Sequence, residues 1–302
     1  MLNFISFGSG SSGNCYYLIA DGYGLLIDLG IGIRAFRRHL GNYGLPVAQI
    51  QALLLTHDHT DHVKAAAPFA GTFKIPVYAS AKVHEAMLKN SFLTKKVPPE
   101  LRRELPELTP RPFGPFTVTS FPVPHDSAEN FGYVIEYQKV NFVLLTDVGH
   151  FTDQMAPLVS RATHLVIEAN YDPQLLEIGP YPRPLKRRIC SGFGHSSNIQ
   201  TACFLADNLR PGHTRRVWLC HLSEENNNPT LAFTTVAEAL KGAGHLVNAA
   251  PSDLQHARLP LFGPTSEKES SADDIDSQVE TKFPIRLDVL PRRTPIALTS
   301  LE

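Results

Sequence analysis

Apolar runs of strand length alternate along this chain with segments of helical periodicity. "LNFISFG", "CYYLIADG" and "YGLLIDLG" read as strands, the last two a hairpin closed by a glycine-containing turn. "QALLLTH" is apolar up to its polar end and predicts a buried strand. "IPVYAS", "FTVTSFPVPH", "THLVIEAN", "RRVWLCHLS" and "HLVNAA" predict further strands, and "GYVIEYQKVNFVLLTD" predicts two around the turn "QKVN". Helical periodicity marks "IRAFRRHLGNYG", which has a glycine stop, and then "DHVKAAAPFA", "AKVHEAMLKNS", "RPLKRRICSG", "SNIQTACFLADNL" and "TLAFTTVAEALKGAG". Residues 92–112, rich in Pro, Lys and Arg, read as a surface excursion. Helices interleave with hairpins and with single strands. That order predicts sheets packed on one another with helices outside, rather than one parallel sheet.

The pattern stops at Gly263. "GPTSEKESSADDIDSQVE" is polar, acidic and without a packing face. It divides the chain into a domain over 1–262 and a tail over 263–302, expected to be disordered or loosely docked. Only "FPIRLDVLP" within the tail has the character of a peripheral strand.

Composition narrows the class. The chain has 302 residues, of which 43% are hydrophobic and 19% charged, enough for a globular core. A net charge of −1 excludes a uniformly basic nucleic-acid binder but leaves room for a local basic surface. Without the tail, 23 basic and 21 acidic residues remain, a net of +2. The four cysteines, Cys15, Cys190, Cys203 and Cys220, form no C-x-x-C pair and read as the reduced thiols of a cytosolic protein. "MLNFISFGSG" lacks the features of a signal peptide, and no segment approaches a membrane span. A cytoplasmic protein without a membrane partner is the expectation.

The chemistry concentrates in "LLLTHDHTDH". His57, His59, Asp61 and His62 follow directly on an apolar strand. A strand-to-helix turn splays such side chains in two directions, so His57 and His59 can serve one metal, Asp61 and His62 a second. Imidazole with carboxylate suits Zn, Mn or Fe rather than Ca.

H-x-H-x-D-H resembles the signature of the metallo-β-lactamase superfamily. The resemblance implies an α+β fold, an αββα four-layer sandwich with the site at one edge, and further ligands at strand ends downstream. His125 in "FPVPHD", Asp147 in "VLLTDVGH" and His221 in "VWLCHLS" answer in order. By this resemblance His57, His59 and His125 hold one metal, Asp61, His62 and His221 hold another, and Asp147 bridges. Two divalent ions, Zn or Mn/Fe, lower the pKa of a shared water toward neutrality and so furnish a bridging hydroxide. Aspartate at the bridge favours hydrolases of phosphodiesters, thioesters and lactones over antibiotic-hydrolysing β-lactamases, several of which place Cys there. Asp28 in "LLIDLG" matches a position from which a carboxylate accepts a hydrogen bond from a metal histidine. It is otherwise a turn aspartate.

Three features bear on substrate. In ribonuclease Z-like members a Glu and a His lie between the bridging Asp and the last ligand, and this chain offers Glu168 and His195 there. A Glu-supported His195 could contact a phosphate oxygen or protonate a leaving oxygen. Asp61, Glu168 and His195 are accordingly the candidate catalytic residues. Secondly, "YPRPLKRR" brings Arg183, Lys186, Arg187 and Arg188 near the site, where they could track a phosphate backbone or simply face solvent. Arg34, Arg37 and Arg38 carry the same ambiguity. Thirdly, "FGSGSSGNCYYL", "THDHTDH", "TDVGH", "IEANYD", "LKRRICSGFGHSSN" and "HLSEENNNP" together resemble the WalJ (YycJ) family of 5′–3′ DNA exonucleases over about residues 3–255. Ser196 departs from the family's "GHLSN", a difference expected to touch packing rather than chemistry. "GSGSSGN" could cradle a phosphate through its backbone and through Ser11 and Ser12. Ser223 and Asn226 are further rim candidates, with Arg187.

The reading is thus a dinuclear-metal phosphodiesterase acting on DNA ends. A small-molecule hydrolase of a thioester, lactone or cyclic phosphate ester is the alternative, since it needs no basic groove. A non-catalytic metal-binding protein would tolerate loss of Asp147, which this chain retains.

Overall fold

A computed structural model describes residues 1–248 and 283–301. Side chains along a strand alternate between faces, and in the inner strands both faces are buried, which explains their unbroken apolar runs. The first sheet is ordered β14-β1-β2-β3-β4-β5-β6. Its strands are β1 (Leu2–Gly8), β2 (Cys15–Ala20), β3 (Tyr23–Ile27), β4 (Ile50–Leu54), β5 (Val77–Ala79), β6 (Arg102–Glu104) and β14 (Thr299–Leu301). The second is ordered β13-β12-β11-β10-β9-β8-β7. It comprises β7 (Arg111–Phe113), β8 (Phe116–Pro122), β9 (Phe131–Tyr137), β10 (Val140–Leu145), β11 (His164–Glu168), β12 (Arg216–Cys220) and β13 (Arg286–Val289).

Three apolar layers hold the assembly. Between the sheets, Phe4, Tyr16, Leu25 and Leu54 meet Phe142, Leu144, Val166 and Trp218. The alternate residues Ile5, Tyr17, Leu26 and Leu53 face outward and pack on α1 (Ile33–Asn42), α3 (Ala66–Phe73) and α4 (Ala81–Lys89). Val143, Leu165 and Val217 do the same beneath α5 (Ala156–Ser160), α8 (Asn198–Asn208) and α9 (Pro229–Gly242). The result is the four-layer αββα sandwich, an α+β fold.

Several expectations change. "DHVKAAAPFA" is two helices, α2 (Thr60–Val63) and α3, because α2 ends where its side chains must face the site. The excursion over 92–112 is not wholly surface: β6 and β7 extend one sheet each. "HLVNAA" makes only a single bridge, Val247 to Ile285, and its last two residues lie outside the described residues. The loosely docked tail needs the largest correction. Residues 263–282 and Glu302 lie outside the described residues, but 283–301 are built into both sheets. β13 pairs in parallel with β12, and β14 pairs antiparallel with β1. Leu287, Leu290 and Leu301 are buried, so this segment is a strap across the edge of the sandwich.

Candidate metal centre

The site forms where strands end. Asp28 follows β3, Thr56 to His62 follow β4, and His125 follows β8. Asp147 follows β10, Glu168 closes β11, and His221 follows β12. His57 stands three residues beyond β4 rather than ending it. Asp28, Asp147 and His221 adopt left-handed backbone, with φ of 57°, 57° and 54°. Side-chain-bearing residues seldom do so, and neighbours hold them there. Asp28 N donates to Leu54 O at 2.8 Å, and His221 N donates to Ser9 Oγ at 2.9 Å. The reversal turns each side chain into the space between the sheet ends.

The histidine partners decide which ring nitrogens keep a lone pair. Thr56 Oγ1 donates its only proton to Asp28 Oδ2 at 2.9 Å, so it accepts from His57 Nδ1 at 3.0 Å. His125 Nδ1 donates to Gly194 O at 2.8 Å, and His59 Nε2 donates to Asp126 O at 3.2 Å. Lone pairs are thereby left on His57 Nε2, His59 Nδ1 and His125 Nε2. The last two face each other at 3.3 Å, and His57 Nε2 is buried without a hydrogen-bond partner. Potential ligand atoms of this triad lie within 4.8 Å of one another. Converging lone pairs repel unless a cation lies among them.

A second group has the same logic. His62 Nδ1 donates to Asp28 Oδ2 at 2.7 Å, and His221 Nδ1 donates to Glu168 Oε1 at 2.8 Å. Their Nε2 atoms lie 3.7 and 3.5 Å from Asp61 Oδ2. Asn14 Nδ2 lies 2.8 Å from His62 Nε2, and His221 Nε2 is a buried orphan. Asp147 reaches both groups, with Oδ2 3.1 Å from His62 Nε2 and Oδ1 3.7 Å from His125 Nε2.

Charge points the same way. Burial opposes ionisation of Asp147, yet the charges of His221 and His62 hold its carboxyl well below the usual range. Burial alone would lower His221, but Asp147, Asp61 and Glu168 lift it to about 10. Likewise His62 is lifted well above its ordinary value against burial, first by Asp147 and then by Asp28. The carboxylates draw protons onto imidazoles because the cluster is short of positive charge. His57 goes the other way: burial, then His62, pushes it well down, leaving Nε2 unprotonated. The donor set and its orphaned nitrogens fit divalent metal ions.

Glu168 is wholly buried. Its Oε1 accepts from His195 Nδ1 at 2.9 Å as well as from His221, while Oε2 accepts from Val148 N at 2.8 Å and Ser196 N at 3.1 Å. Burial raises its carboxyl, but His195 and His221 bring it down to about 2. With Nδ1 committed to Glu168, His195 is left with Nε2, and the residue lines a cavity of about 230 Å³ above the cluster. Ser196 corrects one expectation. Its Oγ donates to Glu168 Oε2 at 3.3 Å, so the departure from the family pattern touches the site's hydrogen bonding.

The rim candidates divide. Ser11 and Ser223 line the cavity; Ser12, Asn226 and Arg187 do not. Ser12 is exposed and accepts from Arg293 Nε at 3.1 Å. Asn226 is fully buried and shapes its own turn through Ser223 Oγ. Arg187 points off the exposed side of α7 (Arg183–Ile189). Helical register brings its neighbour Arg188 to the cavity instead, forked onto Asp126, with Nη2 to Oδ1 at 3.1 Å. The backbone cradle also changes. The N–H groups of Ser9, Gly10, Gly13 and Asn14 are engaged within the fold, which narrows any cradle to the Ser11–Ser12 segment, of which Ser11 lines the cavity. Asp126, Asn14, Thr56 and Asn170 were not among the sequence candidates. Each nonetheless lies in or beside a motif quoted above: Asp126 adjoins His125, Thr56 precedes His57, Asn14 ends "GSGSSGN" and Asn170 is in "IEANYD".

Fold and site together define a metallo-β-lactamase-fold protein, and residues 23–222 match the beta-lactamase superfamily domain. The chain belongs to the WalJ (YycJ) family within that superfamily. It is 33% identical over 249 residues to exodeoxyribonuclease YycJ of Bacillus anthracis, covering 82% of this chain and 93% of that protein. It is 35% identical over 235 residues to exodeoxyribonuclease WalJ of Streptococcus pneumoniae, covering 78% and 87%. The metallo-beta-lactamase fold protein YhfI from Bacillus subtilis shares the fold, with a TM-score of 0.61 at 15% identity over 98% of this chain and 99% of that one. Among the described residues no helix is long and apolar enough to cross a membrane.

Proposed function

We propose that this protein is a divalent-metal-dependent phosphodiesterase that degrades DNA from an end, in the 5′–3′ direction. One observation carries the reading: the lone pairs of His57 Nε2, His59 Nδ1 and His125 Nε2 converge beside a cavity lined by the Glu168-held His195. That the chain's relatives are named exodeoxyribonucleases supports DNA as the substrate.

On this reading His57, His59 and His125 hold one ion, Asp61, His62 and His221 hold a second, and Asp147 serves both. Bound there, Zn or Mn/Fe ions supply acidity and positive charge, bringing the pKa of water toward neutrality and offsetting phosphate charge. The protein does the positioning. Asp28 and Thr56 orient His62 and His57 through the bonds described above. Asp61, on the cavity floor, orients the attacking water. His195, its Nδ1–H donating to Glu168 Oε1, presents Nε2 to a phosphate oxygen or donates a proton to the leaving oxygen. The partner is nucleic acid rather than membrane. Four unpaired thiols, with Cys190 and Cys203 exposed, suit a cytoplasmic setting.

The test uses the metal-loaded protein with 5′-labelled and 3′-labelled single- and double-stranded DNA, beside His59→Ala and Asp147→Ala. Stepwise loss from the 5′ end, abolished in both variants, is expected. Absence of any variant-sensitive degradation, with fast turnover of a chromogenic small ester, would establish the small-molecule alternative.

A further inference from the structure

The cavity over the cluster has two unlike sides. Its floor is His59, Asp61, Asp147, His195 and His221, which is charged and polar. One wall is apolar, made by Tyr181, Leu185 and Ile189. Leu185 and Ile189 are four apart on α7 and share one face, and Tyr181, just ahead of the helix, packs with them. With Tyr171 and Leu176 they form a small cluster separate from the three main apolar layers. Ile189 is buried and supplies the anchor, while Tyr181 and Leu185 are only half-buried and line the cavity. Among the described residues no other ring packs on Tyr181 and none hydrogen-bonds its hydroxyl. This wall contributes nothing to metal binding or proton transfer. What it offers is an aromatic and aliphatic surface beside the polar floor.

We propose that Tyr181, backed by Leu185, is the platform on which the terminal nucleobase stacks while its phosphate lies over His59, Asp147 and His195. The inference rests on the nuclease reading and adds how a chain end is held. Stacking suits an enzyme indifferent to sequence, because every base has a π-face. The cavity volume of about 230 Å³ falls below the range of about 300–1,000 Å³ common for drug-sized ligands. Arg188, fixed by Asp126, borders the same space and is placed to meet the next phosphate.

The experiment compares wild type, Tyr181→Ala and Tyr181→Phe on two labelled oligonucleotides. One is ordinary DNA; the other carries an abasic tetrahydrofuran residue at the attacked end. For Tyr181→Ala the loss of stacking predicts a KM on ordinary DNA about tenfold higher at little-changed kcat. Tyr181→Phe should behave as wild type. On the abasic end, wild type and Tyr181→Ala should be equal, and melting temperatures should match across the three proteins. An equal loss by Tyr181→Ala on both ends, or no loss on ordinary DNA, overturns the platform. Degradation of neither oligonucleotide by wild type overturns the nuclease reading itself.

Discussion

Glu168 and His195 stand 2.9 Å apart, carboxylate Oε1 to ring Nδ1, with the carboxylate wholly buried. The same oxygen also holds His221. One carboxylate thus steadies a cavity-lining imidazole and a metal-cluster imidazole together, and the two roles separate by mutation. His195→Ala should slow DNA turnover by about 10²–10⁴-fold, the usual worth of a general acid, while metal content per chain stays as in wild type. Glu168→Gln should lose both activity and metal, because His221 loses its anchor. Elemental analysis of the two variants decides. Metal loss from His195→Ala would make that residue a ligand instead.

Asp28 touches no substrate, yet it accepts from Thr56 N at 2.8 Å, Thr56 Oγ1 at 2.9 Å and His62 Nδ1 at 2.7 Å. Outer partners of metal histidines are commonly worth about 10–100-fold in affinity. Asp28→Asn should therefore weaken metal retention by that factor, read by competition with a graded chelator. Full occupancy at wild-type chelator concentration would show that Asp28 is only a turn residue.

Gly30 lies against the metal loop. A Cβ there would come within 1.5 Å of Asp61 O. That contact is with backbone, so the loop carrying Asp61 and His62 must move. Gly30→Ala is expected to lower the melting temperature sharply and to release metal. Gly41, exposed near the end of α1, has nothing within 4 Å of the same position. Gly41→Ala should stabilise the protein by about 0.5–1 kcal/mol with activity unchanged.

Acid sensitivity should arise partly away from the site. His164 is pushed down to about 4, first by burial and then by the charges of Arg215 and Arg216. In the unfolded chain it takes up a proton near pH 6.5, but in the folded chain only near pH 4. The unfolded state binds more protons in that window, so stability falls as pH drops through it. The loss is on the order of 3 kcal/mol by pH 4. Denaturant unfolding at pH 7 and pH 4.5 checks this. His164→Gln should lose less stability between the two pH values than wild type, and an equal loss would refute the assignment.

The candidate ligands were legible because each sits near the end of an apolar run, the downstream three through the family resemblance that says where to look. His57, His59, Asp61 and His62 are local in sequence, and His125, Asp147 and His221 each follow a strand whose side chains announce it. Glu168 was legible by the same rule of position, whereas His195, in the loop before α8, was legible only through the order of residues in the resembling family. Less was visible where only a third dimension brings groups together. Arg187 and Arg188 are adjacent in sequence, and helical register alone sends one to solvent and the other to the cavity. Ser196 looked like a packing substitution until its hydroxyl was found beside Glu168.

By itself, then, the sequence determined the two sheets, the flanking helices and the chemistry of the donor set, because hydrophobic period and residue type are local properties. Tertiary structure decided the rest. It chose which nitrogen of each histidine keeps its lone pair, since that depends on Gly194 O, Asp126 O, Glu168 and Asp28, which come from other segments. It also turned residues 283–301 from an apparent tail into edge strands of both sheets. Strands of three and four residues have little propensity of their own and form because a paired, buried edge is waiting for them.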